Sequence, residues 1–205
     1  MAGAPARRLE GRVVIATHNS GKLKEMIDLF GPYGIEVVSA GQLGLPEPVE
    51  NGTMFSENAG IKARSATEAT GLTAISDDSG ICVAALDGAP GIFTADWAGT
   101  PRDYYSGMDR IRVELERRGL PTTGQMAHFV SCIVVAFADG TEKVFEGRVF
   151  GTLVFPPRGQ NGFGYDPIFV PEGETRTFGE MAPAEKKTHS HRARAVEQLI
   201  GALIR

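Results

Sequence analysis

Asp77 and Asp78 stand side by side in Ser76–Gly80, read SDDSG. Two carboxylates ahead of a Ser-Gly pair suit a hard cation such as Mg²⁺, held together with waters and substrate phosphates. On an extended strand neighbouring side chains point to opposite sides. One carboxylate is therefore expected to face a site and the other to support it, although the same residues would also serve as a solvated turn. Glu50 adds a carboxylate just before Asn51-Gly52. Lys62 follows Asn58 by four residues, which puts both on one face of a helix, lining a site or simply facing solvent.

Lys22 brings a single cation to the end of a polar loop. Val13, Val14 and Ile15 form a β-branched run suited to a strand buried on both faces. Thr17, His18, Asn19, Ser20 and Gly21 break it with small polar residues. From Lys22 the period turns helical through Leu23, Met26, Ile27 and Phe30. A strand, a polar loop and a helix N-terminus favour an anion, and Lys22 contributes a point charge, although the same residues would also make an ordinary strand-to-helix turn with an exposed lysine. The stretch is not a Walker A loop, which needs Gly where Ala16 stands and Ser or Thr where Leu23 stands.

Two further stretches suit an organic ligand. In Asn161–Pro167, read NGFGYDP, an aromatic lies between two glycines, so Phe163 would stack on a base or pack into the core. Lys186, Lys187, His189, His191, Arg192 and Arg194 form a basic cluster in a chain of net charge −4. They would be a solvated helix start or a ligand site; placed at the start of the last helix they would oppose its dipole, which favours a ligand over helix stability.

The elements that must position these groups read as follows. Val13–Ile15, Ile35–Ser39 and Leu72–Ser76 are strands, and the SDDSG stretch ends the third. Thr53–Thr70 is an alanine-rich helix with Thr53 as cap and Gly71 as stop. Pro101–Arg118 is an amphipathic helix. His128–Ala138 and Thr141–Phe150 are strands joined at Asp139-Gly140, a hairpin signal, and a last helix starts near Ser190. A βαβ-like beginning followed by a hairpin predicts an α/β fold with a mixed sheet. Residues 1–11 read as a flexible tail and residues 12–205 as one domain.

Composition sets the setting. With 42% hydrophobic and 22% charged residues the chain reads as an ordinary globular protein. A net charge of −4 argues against a nucleic-acid partner, which needs a basic face. Cys82 and Cys132 sit in apolar runs and read as buried reduced thiols. No apolar run is long enough to span a membrane, and the N-terminus lacks the apolar core of a secretory signal. A cytoplasmic setting is expected.

Taken together, the stretches Ala16–Lys22, Glu50–Arg64, Ser76–Gly80, Gly88–Phe93, Asn161–Phe169 and Glu185–Ala195 resemble the inosine/xanthosine triphosphate pyrophosphatases, in that family's order and over almost the whole chain from Val13. The resemblance implies a long twisted mixed β-sheet flanked by helices, two lobes around a central cleft, and a homodimer. It implies hydrolysis of ITP, dITP and XTP to the monophosphate and pyrophosphate with Mg²⁺. Thr17, His18, Asn19, Ser20, Gly21 and Lys22 would hold the triphosphate. Glu50 and Asp78 would be metal ligands, Asp78 and Lys62 catalytic, and Asp77 and Ser79 supporting. Phe163, Gly164, Tyr165, Asp166, Lys186, His191 and Arg192 would form the base and sugar pocket.

Two positions depart from the family pattern. Val49 replaces the first of a frequent Glu pair, leaving Glu50 to carry any ligand role. Asp96 stands in Thr94-Ala95-Asp96 where the family commonly has Arg. Competing readings are a pyrophosphatase for modified pyrimidine nucleotides and a nucleotide-binding sensor that does not hydrolyse.

Overall fold

The structure, a computed structural model, describes residues 8–204. Six strands form one mixed sheet: β1 (Arg12–Ile15), β2 (Glu36–Ser39), β3 (Ala74–Val83), β4 (Met126–Ala136), β5 (Glu142–Leu153) and β6 (Phe169–Pro171), in the order β2-β1-β3-β4-β5-β6. β1 runs parallel to β2, with Val13 opposite Val37, and parallel to β3, with Ile15 opposite Ile75. β5 and β6 are antiparallel, with Leu153 opposite Phe169. The helices are α1 (Ser20–Phe30), α2 (Phe55–Thr70), α3 (Tyr104–Arg117), α4 (Pro183–His189) and α5 (His191–Leu203). The α/β class with a mixed sheet expected from the sequence is the fold.

The chain divides into two compact units. The first runs to Asp78 and takes in Cys132–Glu146 and the residues from Ala193 onward. The central strand residues Val13–Ile15, Ala74–Ile75 and Cys132–Ala136 are apolar on both faces because both are covered. Val13, Ile15, Ile75, Ile133 and Val135 pack with Met26 and Phe30 of α1 and with Val196, Leu199 and Leu203 of α5. The alternate residues face α2: Val14 and Ala74 meet Ala66, while Val134 and Ala136 meet Ala59 and Ala63. Small side chains on α2 let the helix approach the sheet closely. The turn between β4 and β5 closes by Phe137 N–H to the Thr141 carbonyl at 2.9 Å, as Asp139-Gly140 predicts. Of the expected tail, residues 1–7 lie outside the described residues. Leu9 is buried and its amide bonds the Leu203 carbonyl at 2.6 Å, so packed structure starts before the expected boundary at 11.

The second unit comprises Ser79–Ser131 and Gly147–Arg192. Ile81 and Val83 of β3, Met108, Ile111 and Leu115 of α3, and Phe129, Tyr165, Phe169 and Phe178 form its core. Phe169 meets Phe129 edge-on at 4.8 Å and Phe178 at 5.3 Å, between ring centroids.

Three expectations need correction. The SDDSG stretch does not end a strand: β3 runs unbroken from Ala74 to Val83, pairing with β1 only at Ala74 and Ile75 but continuing as the neighbour of β4 and buried almost throughout. Thr53 is not the cap of α2. The Glu57 carboxylate instead accepts from the amides of Thr53 at 2.6 Å and Met54 at 3.2 Å. The C-terminal basic cluster does not open a single helix. Ser190 is extended and separates α4 from α5, so Lys186, Lys187 and His189 occupy the last turn of α4, where the helix dipole favours cations. The dipole argument for a ligand therefore fails for those three residues.

Both cysteines are buried, and among the described residues they form no disulfide. Burial pushes the Cys132 thiol up to about 12, with the carboxylates of Glu146, Asp77 and Asp78 adding to it. Since the thiolate is the reactive form, iodoacetamide at pH 8 should leave Cys132 unmodified in the native protein and label it in guanidinium. Mass spectrometry of both samples checks this.

Candidate active site

The first unit gathers cations and carboxylates around the end of β1. Ile15 ends the strand, and the chain then makes a short polar connection before α1 begins at Ser20, two residues earlier than the periodicity suggests. Thr17 Oγ1 accepts from the Asn19 amide at 3.1 Å, and Asn19 Oδ1 caps the helix by accepting from the Lys22 amide at 3.1 Å. Ser20, Gly21 and Lys22 thus form the first turn, where amides lack intrahelical acceptors. His18 turns aside, its Nε2 lying 2.9 Å from the Leu45 carbonyl. Lys22 Nζ lies 3.0 Å from Asp77 Oδ2 and donates to the Asp77 carbonyl at 3.2 Å.

Asp78, the next residue, engages a different lysine. Lys62 Nζ on α2 sits 3.4 Å from Asp78 Oδ1 and 2.9 Å from Glu50 Oε2. Adjacent carboxylates on one strand therefore serve two cations, as alternation along a strand requires. The Glu50 loop is fixed from α2: Asn58 Oδ1 accepts from the Gly52 amide at 2.8 Å. A Cβ at Gly52 would stand 2.6 Å from the Glu57 Cβ, so only glycine lets the loop lie so close to the helix.

The electrostatics of this cluster are those of a desolvated site. Burial raises the Asp78 carboxyl above its ordinary value; the ammonium groups of Lys62 and Lys22 pull it back, and the net shift is upward. Burial alone would lower Lys62, but the carboxylates of Asp78 and Glu50 outweigh it and the ammonium is held above its usual range. Asp78 Oδ2 is buried and has no hydrogen-bond partner among the described residues. An orphaned carboxylate oxygen is costly, and a hard cation would satisfy it. Lys22→Ala should leave the fold intact, because the ammonium lies at the rim of the core, and should raise KM for a triphosphate substrate by roughly tenfold through loss of a charge-assisted contact. Steady-state kinetics and circular dichroism test the two halves.

The second unit assembles the other candidates. Gly162 has φ +72°, and a Cβ there would stand 2.0 Å from Asp166 Oδ2. That oxygen accepts from the Phe163 amide at 2.8 Å and from Lys186 Nζ at 2.7 Å. The Phe163 ring lies under two cations, with Lys186 Nζ at 4.9 Å and Arg192 Cζ at 5.9 Å from its centroid. Arg192 is fully buried and donates to Ser79 Oγ at 3.1 Å. Phe163, Asp166, Lys186, Arg192 and Ser79 therefore meet in one cluster.

Two residues expected beside them point elsewhere. The His191 ring stacks on Phe129 at 4.9 Å and 12° within the core. The Tyr165 ring is buried, and its hydroxyl donates to the Thr94 carbonyl at 2.9 Å. Gly164, with φ +66°, sits in the turn between Phe163 and Tyr165. Asn58 and Glu57 support the Glu50 loop from α2, roles that the face shared by Asn58 and Lys62 does not by itself specify. A Glu three positions into a helix is the signal that would have revealed the capping role of Glu57.

The first unit thus holds a helix N-terminus with a lysine and carboxylates sharing a second lysine, and the second unit holds an aromatic ring flanked by buried donors. The chain belongs to the Ham1 family, whose model matches residues 13–202. It is 51% identical over 200 residues to a dITP/XTP pyrophosphatase of Zymomonas mobilis, covering 97% of this chain and 95% of the relative. It is 55% identical to a dITP/XTP pyrophosphatase of a Bradyrhizobium species, covering 94% of each. The solved structure of a HAM1 protein from Coxiella burnetii superposes with a TM-score of 0.84 at 37% identity, covering 93% of this chain and 96% of that one.

Proposed function

We propose that this chain hydrolyses the non-standard purine nucleoside triphosphates ITP, dITP and XTP to the monophosphate and pyrophosphate, and so cleanses the nucleotide pool. The names of the relatives support the substrate class. The observation that carries the reading is the Glu50–Lys62–Asp78 cluster with its orphaned Asp78 oxygen. Glu50 and Asp78 would hold Mg²⁺. This ion commonly uses one or two carboxylates and fills its remaining positions with water and substrate phosphates. When bound it would neutralise charge on the pyrophosphate leaving group.

The chain's own residues supply the rest. A water oxygen bonds to the α-phosphorus, the bond from that phosphorus to the bridging oxygen breaks, and pyrophosphate leaves with the electron pair. Asp78 takes the proton from the water. Lys22, at the first turn of α1, faces the phosphates, and Lys62 offsets the charge that builds on the transferred group. Phe163 stacks on the base. Lys186 and Arg192 are buried donors for the 6-keto oxygen of hypoxanthine or xanthine, where adenine carries an amino donor instead. The homodimer and the cytoplasmic setting belong to the same proposal. The reduced, buried cysteines support the second, and a solution mass near twice 21.9 kDa would support the first. Among the described residues no helix is long and apolar enough to cross a membrane.

Incubation with ITP and Mg²⁺ should release pyrophosphate. Release from modified pyrimidine triphosphates only, or binding of ITP without turnover, would overturn the proposal. Base selection has its own test. Arg192→Ala should lower kcat/KM for ITP at least tenfold more than for ATP, because a buried acceptor loses its donor at a cost of about 1–3 kcal/mol. The ratio is insensitive to the amount of folded enzyme, since both rates scale with it. GTP shares the keto oxygen and should follow ITP, whereas Phe163→Ala should lower ITP and ATP alike.

A further inference from the structure

We infer that Gly107 of α3, together with Tyr165 and the Thr94 carbonyl, forms a seat that fixes the turn carrying Phe163 and Asp166. Helix α3 would thereby control the base pocket without touching the ligand. The inference deepens the proposed function and rests on the assignment of Phe163 to the base. Three observations in the second unit carry it. A Cβ built on Gly107 would stand 2.2 Å from Tyr165 Oη and 2.9 Å from its Cζ, so the Tyr165 ring lies directly on the helix backbone. The hydroxyl donates to the Thr94 carbonyl at 2.9 Å, and the Tyr104 ring meets Tyr165 edge-on at 5.9 Å. Thr94 is itself fixed, because its hydroxyl donates to the Gly91 carbonyl at 2.6 Å and accepts from the Ile81 amide at 3.0 Å.

The consequence follows from chain connectivity. Tyr165 lies between the two working residues of the turn. Phe163 offers its ring, and Asp166 grips the Phe163 amide and the Lys186 ammonium through one oxygen. With the Tyr165 ring buried to 1% exposure and its hydroxyl bonded, the turn has no freedom to rotate about its centre. Lys186 and Arg192 can then find the Phe163 ring in one place. Glycine inside a helix is ordinarily the weaker helix former. At Gly107 its absent side chain makes the space that Tyr165 fills. Both are positioning residues, acting through the turn.

The test combines hydrogen exchange with kinetics on Gly107→Ala, Tyr165→Phe and, as a control, Gly201→Ala, a helical glycine with open space around its position. In Gly107→Ala the amides of residues 161–168 should exchange at least tenfold faster than in the wild type, while those of α1 and α2 are unchanged. KM for ITP should rise at least fivefold with kcat within twofold. Tyr165→Phe keeps the ring but loses the Thr94 bond, and should give the same pattern more weakly. It also keeps the test decisive if Gly107→Ala fails to fold. Gly201→Ala should change neither readout. Thermal destabilisation with exchange at 161–168 and KM both unchanged would mean a merely structural glycine and overturn the inference. If the wild type does not cleave ITP, the proposed function falls, while the exchange pattern alone still decides whether Gly107 and Tyr165 seat the turn.

Discussion

Asp78→Asn should lower turnover of ITP by roughly two orders of magnitude or more, the scale expected when a positioned acid–base group is lost, while leaving the protein at least as stable as the wild type. The two effects have one origin. Asp78 is 8% exposed, and one of its oxygens is buried without a partner. Its carboxyl is raised in the folded state by burial, even after Lys62 and Lys22 pull it back. A folded-state value above the unfolded one means that the stability contributed by this group is fully present below its unfolded value. That stability is lost as pH rises through the folded value. At pH 7 the ionised carboxylate is a liability in the absence of metal, and the neutral amide removes it. In EDTA at pH 7 the variant should therefore melt at or above the wild-type temperature. The difference should shrink as pH falls, because the raised wild-type carboxyl takes up a proton before an ordinary aspartate does. Mg²⁺ should raise the wild-type melting temperature and leave the variant nearly unmoved, because a ligand stabilises only the state that binds it. Near wild-type turnover at saturating Mg²⁺, or an equal response of both proteins to the ion, would remove Asp78 from the metal and from the chemistry.

How far such a site can be read in advance depends on whether its parts are local. The loop before Lys22 is legible because everything that shapes it lies within ten residues: the β-branched run, the small polar residues and the return of helical period. The opposed directions of Asp77 and Asp78 are legible for the same reason. The continuation of β3 through SDDSG is not, because past Ile75 the strand outruns β1 and its remaining neighbour is β4, which is distant in sequence. Locally, two aspartates, a serine and a glycine have every property of a turn. Sharing of Lys62 between Glu50 and Asp78 is likewise a tertiary fact. In the second unit, residue type names the right stretch but not its orientation. Phe163 and Tyr165 are both aromatics in a glycine-rich turn, yet only Tyr165 is swallowed by the core, because Gly107 leaves room for it. His191 and Arg192 are both basic neighbours, yet His191 stacks on Phe129 while Arg192 reaches Ser79. The break at Ser190 that separates their helix from that of Lys186 follows from its extended backbone, which no short-range pattern demands.

The largest loss of stability is expected at Asp166. Its Oδ2 accepts from Lys186 Nζ at 2.7 Å and from the Phe163 amide at 2.8 Å, and the side chains of Asp166 and Lys186 are 2% and 6% exposed. Removing one member of a buried pair leaves the other desolvated without its counter-charge, at a cost of about 3–5 kcal/mol. For a chain of this size that corresponds to a fall in Tm of roughly 6–20 °C in Asp166→Ala. Burial of the pair makes the loss far greater than for the exposed ion pair of Arg112 and Glu116 on α3, where a contribution below about 1 kcal/mol is typical. Asp166→Ala/Lys186→Met should recover most of the loss, because it removes both charges and fills the space with an apolar chain. The double-mutant cycle then isolates the coupling. Stability and specificity should separate in this pair of variants. The double variant regains its Tm but still lacks the acceptor for the Phe163 amide and one donor facing the base, so its KM for ITP should stay high. A double variant that recovers both Tm and KM would make Asp166 and Lys186 a structural ion pair with no part in holding the base. A Tm for Asp166→Ala within 2 °C of the wild type would mean that the pair is solvated in solution.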